Sequence, residues 1–311
     1  MGTFLFWITV THFVPKLGFI SSTIAGSSLL FLNYLGAQKN FGSYKYLVSA
    51  FTMLGMTFAL VEILVYPNVH NYKASFLFFS FEESFGLSGE WTRNIPLAGY
   101  TFFHSATMSL LSVQFIYRYW AVFDTNKLRY FKGCSSLIWF LYCSFFGFQY
   151  ALGTYFFLAR DPISDEYLRE EVFLRYNANI TALPATSIVA YDPLTEAVRW
   201  WNLMGVLNIC SIVNFQYGVM IYCDHYANNN PIYSNNYHHF LPLFNLDVSL
   251  PSGVMLCSFT LYPATDSIIV MYVVSEYSIT ARKIQKVFFK SVQEIKGSGR
   301  VYAATSTAHS S

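Results

Sequence analysis

Of the 311 residues, 54% are hydrophobic, 20% aromatic and only 12% charged, about half the charged share of an ordinary soluble domain. Too little polar surface remains to coat a water-soluble fold of this length, so the bilayer is the expected solvent. A net charge of +2 gives no ground for a nucleic-acid partner, and the basic residues matter through their placement around the apolar runs.

The first run long enough to cross a hydrocarbon core reads Leu17–Leu35. Trp7 and Lys16 suit an interface before it. Gly26, Ser27 and Ser28 give it a small-residue face that permits pairing in a homo- or hetero-oligomer without requiring it. The link AQKNFGSYKY carries Lys39 and Lys45 and no acid. The second run, Leu47–Tyr66, contains Glu62, an intramembrane carboxylate and so a candidate functional group. The alternative is a protonated or interfacial glutamate bonded to a neighbouring helix. Pro67 ends the run, and the loop to Arg93 sets Lys73 and Arg93 against Glu82, Glu83 and Glu90.

The third span starts near Pro96 and runs to about 116. It lies within an apolar stretch, Tyr100–Phe123, that closes on Tyr117, Arg118 and Tyr119. An arginine is costly in hydrocarbon. Arg118 therefore either anchors the span at the headgroups or faces a signalling partner from its cytoplasmic end. His104 and Gln114 are polar positions inside this span; His104 is either a ligand contact or a satisfied core histidine. The link DTNKLRYFKG sets Lys127, Arg129 and Lys132 against Asp124. The fourth span, Leu137–Leu158, holds Gln149.

The loop Ala159–Val198 is acidic, with Asp161, Asp165, Glu166, Glu170, Glu171, Asp192 and Glu196, and contains a glycosylation sequon at Asn179. The fifth span is Trp200–Tyr222 and the last long apolar run is 252–274. Links after the first and third spans are basic, and those after the second and fourth acidic. The positive-inside rule thus puts the amino terminus outside and the basic tail beyond Thr280 inside. Six spans starting outside must end outside, so one crossing is missing between Cys223 and Ser252, where Phe240–Leu246 is too short to span. The alternatives are a last run that does not traverse, or a re-entrant piece.

No cleaved signal peptide is expected, because residues 1–15 lack a basic start. The five cysteines lie in or beside spans and indicate neither a disulfide framework nor structural zinc. No catalytic motif or phosphate loop is present, so an enzyme, a metal and a cofactor are not expected. The fold class read from these runs is an all-α integral membrane protein. Its polytopic domain covers 1–282, with spans of about 17–35, 47–66, 96–116, 137–158, 200–222 and 252–274. A partly disordered cytoplasmic tail follows at 283–311.

Four stretches in order, GSYKYLV at 42–48, YPNVHNY at 66–72, FIYRYWAVF at 115–123 and LYPATDSIIVMYVVSEY at 261–277, resemble the nematode serpentine class r (Str) seven-helix chemoreceptors. The resemblance implies a G-protein-coupled-receptor-like bundle in the plasma membrane of sensory-neuron cilia. It implies a small odorant and a heterotrimeric G protein as partners. YGVMIYC at 217–223 looks like the end of the fifth helix and HFLPLFNLDVSL at 239–250 like the outer loop before the seventh. The third cytoplasmic loop and sixth helix are thus expected to be absent. Carried over by position, Tyr117, Arg118 and Tyr119 form the G-protein-facing switch and Tyr262, Pro263 and Asp266 a seventh-helix switch. His104, Glu62 and Gln149 are candidate pocket residues. The rival readings are a non-signalling truncated homologue and a small six-helix transporter or channel.

Overall fold

The computed structural model describes residues 5–36, 42–81, 87, 89, 92–192, 195–228, 261, 263–271 and 279–280. Expectations placed on the connector from 229, the start of the last apolar run, Tyr262, Cys257 and the tail from 281 lie outside these residues. Within them run α1 (Leu5–Gly36), α2 (Tyr44–Val65), the hairpin β1 (Pro67–Tyr72) and β2 (Ser75–Ser80), and α3 (Ile95–Phe123). After α3 come two 3-10 turns (Thr125–Phe131, Gly133–Ser136), α4 (Leu137–Phe157), α5 (Pro162–Tyr176), β3 (Ala185–Val189) and α6 (Trp200–Asn228). Residues 263–271 are again helical.

By length and composition, α1, α2, α4 and α6 are apolar enough to cross a membrane. Helix α3 is less apolar because it is the buried axis, packed against α2, α4 and α6. Its inner face carries Thr101, Ser105, Ser109, Ser112 and Gln114, all buried. Lipid is as apolar as leucine, so helices there are held by close fit and hydrogen bonds. Ser105 donates to the Phe146 carbonyl of α4 at 3.0 Å, and Tyr142 of α4 donates to Gln216 of α6 at 2.8 Å. Glycines set the approach. A Cβ on Gly147 would meet the Phe102 ring at 2.7 Å, and one on Gly205 would meet Phe157 at 2.7 Å. The outer face of α4 exposes Ile138, Phe140, Leu141, Phe145, Phe148 and Leu152, as a lipid-facing helix should.

The last helical segment packs against α1 and α2. Val270 and Met271 lie on Leu29 and Val48, and Pro263 stands 2.9 Å from where a Cβ on Gly55 would be.

The connections at one end of the bundle, read from sequence as loops, build structure instead. Strands β1, β2 and β3 form one antiparallel sheet in that order. Phe78 packs with Phe58, Leu97 and Tyr100 of α2 and α3. Leu77 and Phe79, also fully buried, pack against Leu168 and Val172 of α5. Adjacent residues thus serve opposite faces, as the strand period demands. Helix α5 begins with a capping box, Asp161 Oδ1 accepting from the Ser164 N–H at 2.9 Å and the Ser164 hydroxyl from the Asp161 N–H at 3.0 Å, with Pro162 at its start.

This lid is tied to the end of each long helix. Thr11 of α1 donates to Asn68 Oδ1 at 2.8 Å. Ser80 donates to the Val65 carbonyl of α2 at 2.6 Å. Asn94, at the head of α3, accepts from the Ala185 N–H at 3.0 Å. The Ser187 N–H donates to the Leu158 carbonyl after α4 at 3.0 Å, and Asn202 of α6 donates to the Ser187 carbonyl at 3.3 Å. Each such bond contributes about 1 kcal/mol net, so the ties together hold the lid shut by roughly 5 kcal/mol before apolar burial is counted.

Candidate functional site at the arginine end of α3

Opposite the lid, α3 ends in Tyr117, Arg118 and Tyr119. Arg118 is exposed. Its guanidinium lies 5.9 Å from the Phe115 ring centre and donates to the Tyr44 hydroxyl, at the start of α2, at 3.4 Å. The stem thus lies along an aromatic surface while the head reaches polar groups. Its charge also acts on Asp266 of the last helical segment, and Asp266 is half-buried. Arg118 and Asp266, expected from sequence as two separate switches, share one electrostatic neighbourhood. Pro263 is buried one turn away.

The flanking tyrosines face different ways. Tyr117 lies against Tyr44 with the rings tilted, 5.0 Å between centroids, and meets Phe131 edge-on at 4.8 Å. Tyr119 meets Tyr222 and Tyr226 of α6 at 6.1 and 6.4 Å. Phe131 lies flat on Trp139 of α4 at 4.7 Å, and this fixes the 3-10 turns. Lys127, Arg129 and Lys132 are exposed around it. A groove of about 410 Å³ runs between α3 and α6, lined by Ile116, Tyr119, Trp120, Phe215, Val219 and Tyr222 among others.

The other positions of interest lie toward the lid. Glu62 is 1% exposed, one turn before the end of α2, and its Oε2 has no hydrogen-bond partner among the described residues. His104 lies between Phe58 of α2 and Tyr150 of α4, at 6.1 and 5.9 Å. Gln149 donates to Asn208 Oδ1 at 3.0 Å and so joins α4 to α6. Helical spacing puts Glu62 on the face of α2 that carries Gly55, one turn beyond Phe58; the Gln149 amide is committed to the α4–α6 contact. Asn179 is exposed in a short turn, its Oδ1 accepting from the Thr181 N–H at 3.1 Å and hydroxyl at 2.9 Å.

Sequence reasoning missed two groups in the lid. His70 of β1 is 6% exposed; its Nδ1 shares a 3.0 Å hydrogen bond with the Tyr176 hydroxyl, and its Nε2 lies 3.6 Å from Glu171. Burial lowers the His70 pKa from 6.5, with Glu171 opposing. Arg160 and Asp165 pair at 3.5 Å. Burial lowers the arginine and raises the aspartate, outweighing their mutual attraction. The His70 pair joins β1 to α5 and has no local pattern, whereas Arg160 and Asp165 are close in sequence at the start of α5 and read from sequence only as loop charges. Among the described residues no cluster of three metal-ligating side chains occurs.

The family model for serpentine-type seven-helix G-protein-coupled chemoreceptors of the Str class matches residues 11–229 and 236–282. The chain belongs to this family. Among its relatives, the G-protein coupled receptor str-33 of Caenorhabditis elegans is 28% identical over 309 positions, covering 87% of this chain and 89% of the relative. Serpentine receptor class r-10 of the same species is 25% identical, covering 70% of this chain and 64% of the relative. The G-protein coupled receptor str-217 is 25% identical, covering 60% and 54%. The Str class is one of receptors rather than enzymes, and membership gives the chain a membrane setting, with a ligand and a G protein as partners in general. The 309 positions aligned to str-33 exceed what 87% of a 311-residue chain can fill, so the relative carries residues with no counterpart here.

Proposed function

We propose that this Str-class protein is a plasma-membrane chemosensory receptor, with its lid outside and Arg118 at the cytoplasmic face. It binds a small odorant in the lid half of the bundle, near His104 and Glu62, and signals to a heterotrimeric G protein. The orientation is supported by charge. Arg118, Lys127, Arg129 and Lys132 gather at one end, and the acidic α5 lies at the other.

The observation that supports the reading is the hydrogen bond from Arg118 at the end of α3 to Tyr44 at the start of α2. The Arg118 charge is also felt at Asp266 of the last helical segment. A resting state held this way can be released by a ligand that favours a different helix arrangement. Guanine-nucleotide exchange on a co-expressed G protein tests it. Asp266→Asn, which removes the charge and keeps the shape, is expected to raise ligand-independent exchange about fivefold, the low end of typical coupling energies. Arg118→Ala is expected to abolish coupling. Unchanged exchange in both variants, with normal surface delivery, would falsify the receptor reading.

A second reading, a receptor homologue that does not signal, is favoured by the residues of str-33 without counterpart here. If they comprise a sixth helix and its loop, the chain lacks the element whose movement opens the cytoplasmic cleft. The same exchange assay separates the two readings.

A further inference from the structure

At the arginine end of the bundle, α3 and α6 part on the side next to α4. Trp120 of α3 lies 5.7 Å from Trp139 of α4, and Phe215 of α6 stacks on Phe146 of α4 at 5.4 Å. The groove of about 410 Å³ between α3 and α6 therefore opens beside the helix whose outer face carries exposed apolar side chains. Phe215, Gly218 and Tyr222 line it from α6 and are exposed, and their spacing keeps them on one helical face. From Phe215 to Tyr222 the helix rises about 10 Å, against roughly 15 Å of hydrocarbon in one leaflet. Gly218 makes the groove deep, because a Cβ there would meet no described atom within 4 Å. A cation stands at the mouth. The Lys127 ammonium lies 5.8 Å from the centre of the Trp120 ring. It pairs with Asp124 at 3.2 Å where both side chains meet water; such a pair is weak, and the ammonium has other protons to donate. Arg129 and Lys132 are exposed in the same turns, and Asp124 and the half-buried Asp224 are the acids beside this end of the groove. A plain hydrocarbon would use the groove and not the ammonium, and a free anion the ammonium and not the groove. A molecule with an acyl chain and an anionic head uses both.

We propose that this groove binds an anionic phospholipid, with one acyl chain lying between α3 and α6 along Gly218 and the acidic headgroup on Lys127. From the receptor reading it takes only the orientation given above, which puts the groove in the leaflet that carries anionic lipid.

Trp120 is a reporter inside the site, since a dibrominated acyl chain quenches tryptophan on contact. The full chain is reconstituted in phosphatidylcholine nanodiscs with a rising fraction of dibrominated phosphatidylserine or, separately, dibrominated phosphatidylcholine. The difference in quenching between the parent and Trp120→Phe isolates Trp120 from the other tryptophans. Half-quenching of Trp120 is expected at about fivefold lower mole fraction for the serine lipid, the fold-change equivalent to about 1 kcal/mol for one lysine near the surface. Lys127→Gln, at an exposed position, is expected to bring the two lipids to equality. Gly218→Leu puts its side chain into open space among the described residues and is expected to remove the serine-lipid advantage as well, with thermal stability unchanged or raised. Glycerophosphoserine, the headgroup without its chains, is expected to leave the quenching unchanged at the concentration of the lipid. Equal quenching of the parent by the two lipids overturns the proposal, as does an undiminished advantage in Gly218→Leu. Displacement by glycerophosphoserine assigns the lysine to free anions, and a dimer in lipid-free detergent that Gly218→Leu separates assigns the groove to a second copy; either overturns it too. Nanodiscs carry the same lipids in both leaflets and hold no G protein, so these outcomes depend on neither orientation nor signalling, and the exchange assay above tests the receptor reading by itself.

Discussion

An arginine at the end of a membrane helix keeps its charge at little cost when its stem lies on apolar surface and its head finds polar groups. Arg118 has both in Phe115 and Tyr44, and its charge is felt at Asp266 of the last helical segment. His70 illustrates the opposite condition, an imidazole buried more deeply than the acid beside it. Its neighbours are Glu171, Arg175 and Tyr176 on α5, with Lys73 in the hairpin turn acting on the same Glu171. Its folded pKa is depressed, so below about 6.5, the ordinary histidine value, the unfolded lid binds the proton more readily than the folded one. The stabilisation is complete above that value and is lost as pH falls below it and through the depressed folded pKa. Protection of the β1 amides, with the pH dependence of intrinsic exchange removed, is therefore expected to fall on acidification from neutrality, and His70→Gln to remove most of that dependence. Gln149 makes a simpler prediction. Replacing it with leucine leaves Asn208 Oδ1 without the Gln149 donor, while Asn208 keeps its bond to the backbone carbonyl at 149, and is expected to cost about 1 kcal/mol of α4–α6 association, measurable as a fall in thermal stability in detergent.

Helix α5 shows how an element with few apolar residues is held in place. Its buried stripe is only Ser164, Leu168 and Val172, so its ends contribute much of its stability. Asp161 caps the first turn and also pairs with Arg199 ahead of α6. Asp161→Ala removes both and is expected to destabilise α5 by about 2 kcal/mol, the upper end for a lost N-cap, with α5 amides exchanging before those of α3. At the opposite side of the bundle, Gly55 admits Pro263 to the surface of α2. Gly55→Val is expected to push the last helical segment away at a cost of about 1–3 kcal/mol for overpacking. Cysteine crosslinking between α2 and residues 263–271 would register the separation.

For the whole molecule, the question is parity. If the amino terminus is outside, as proposed, and five long helices and a sixth apolar run all cross, the tail returns outside, yet the tail is basic. An epitope placed after Ser311, stained in intact and permeabilised cells, decides this, with glycosylation at the exposed Asn179 as the marker for the outside. The expected outcome for a signalling receptor is a tag seen only after permeabilisation. A tag visible on intact cells would leave six true crossings and an inverted last helix, and the non-signalling reading would stand.

The sequence by itself determined the solvent, the helical class and the family. All three depend on local facts: apolar runs of bilayer length, interrupted by polar links, with short motifs in fixed order. It also picked out Arg118 and Asp266 as unusual, because a charge in an apolar run is visible one residue at a time. The lid was not legible in this way. The Lys73–Ala74 turn of its hairpin lacks the Asn or Gly that would announce it, and Phe76–Phe79 reads as a plain apolar run. The start of α5 did carry a signal, Asp161–Pro162 followed by Ser164, within a segment whose acidity suggested only a loop. That Phe78 faces the bundle while Phe79 faces α5 follows from β3, far away in the chain, pairing with β2. Which polar groups meet, Arg118 with Tyr44, Gln149 with Asn208 and His70 with Tyr176, is likewise decided only in the tertiary structure, because each bond joins two elements whose separation is set by packing.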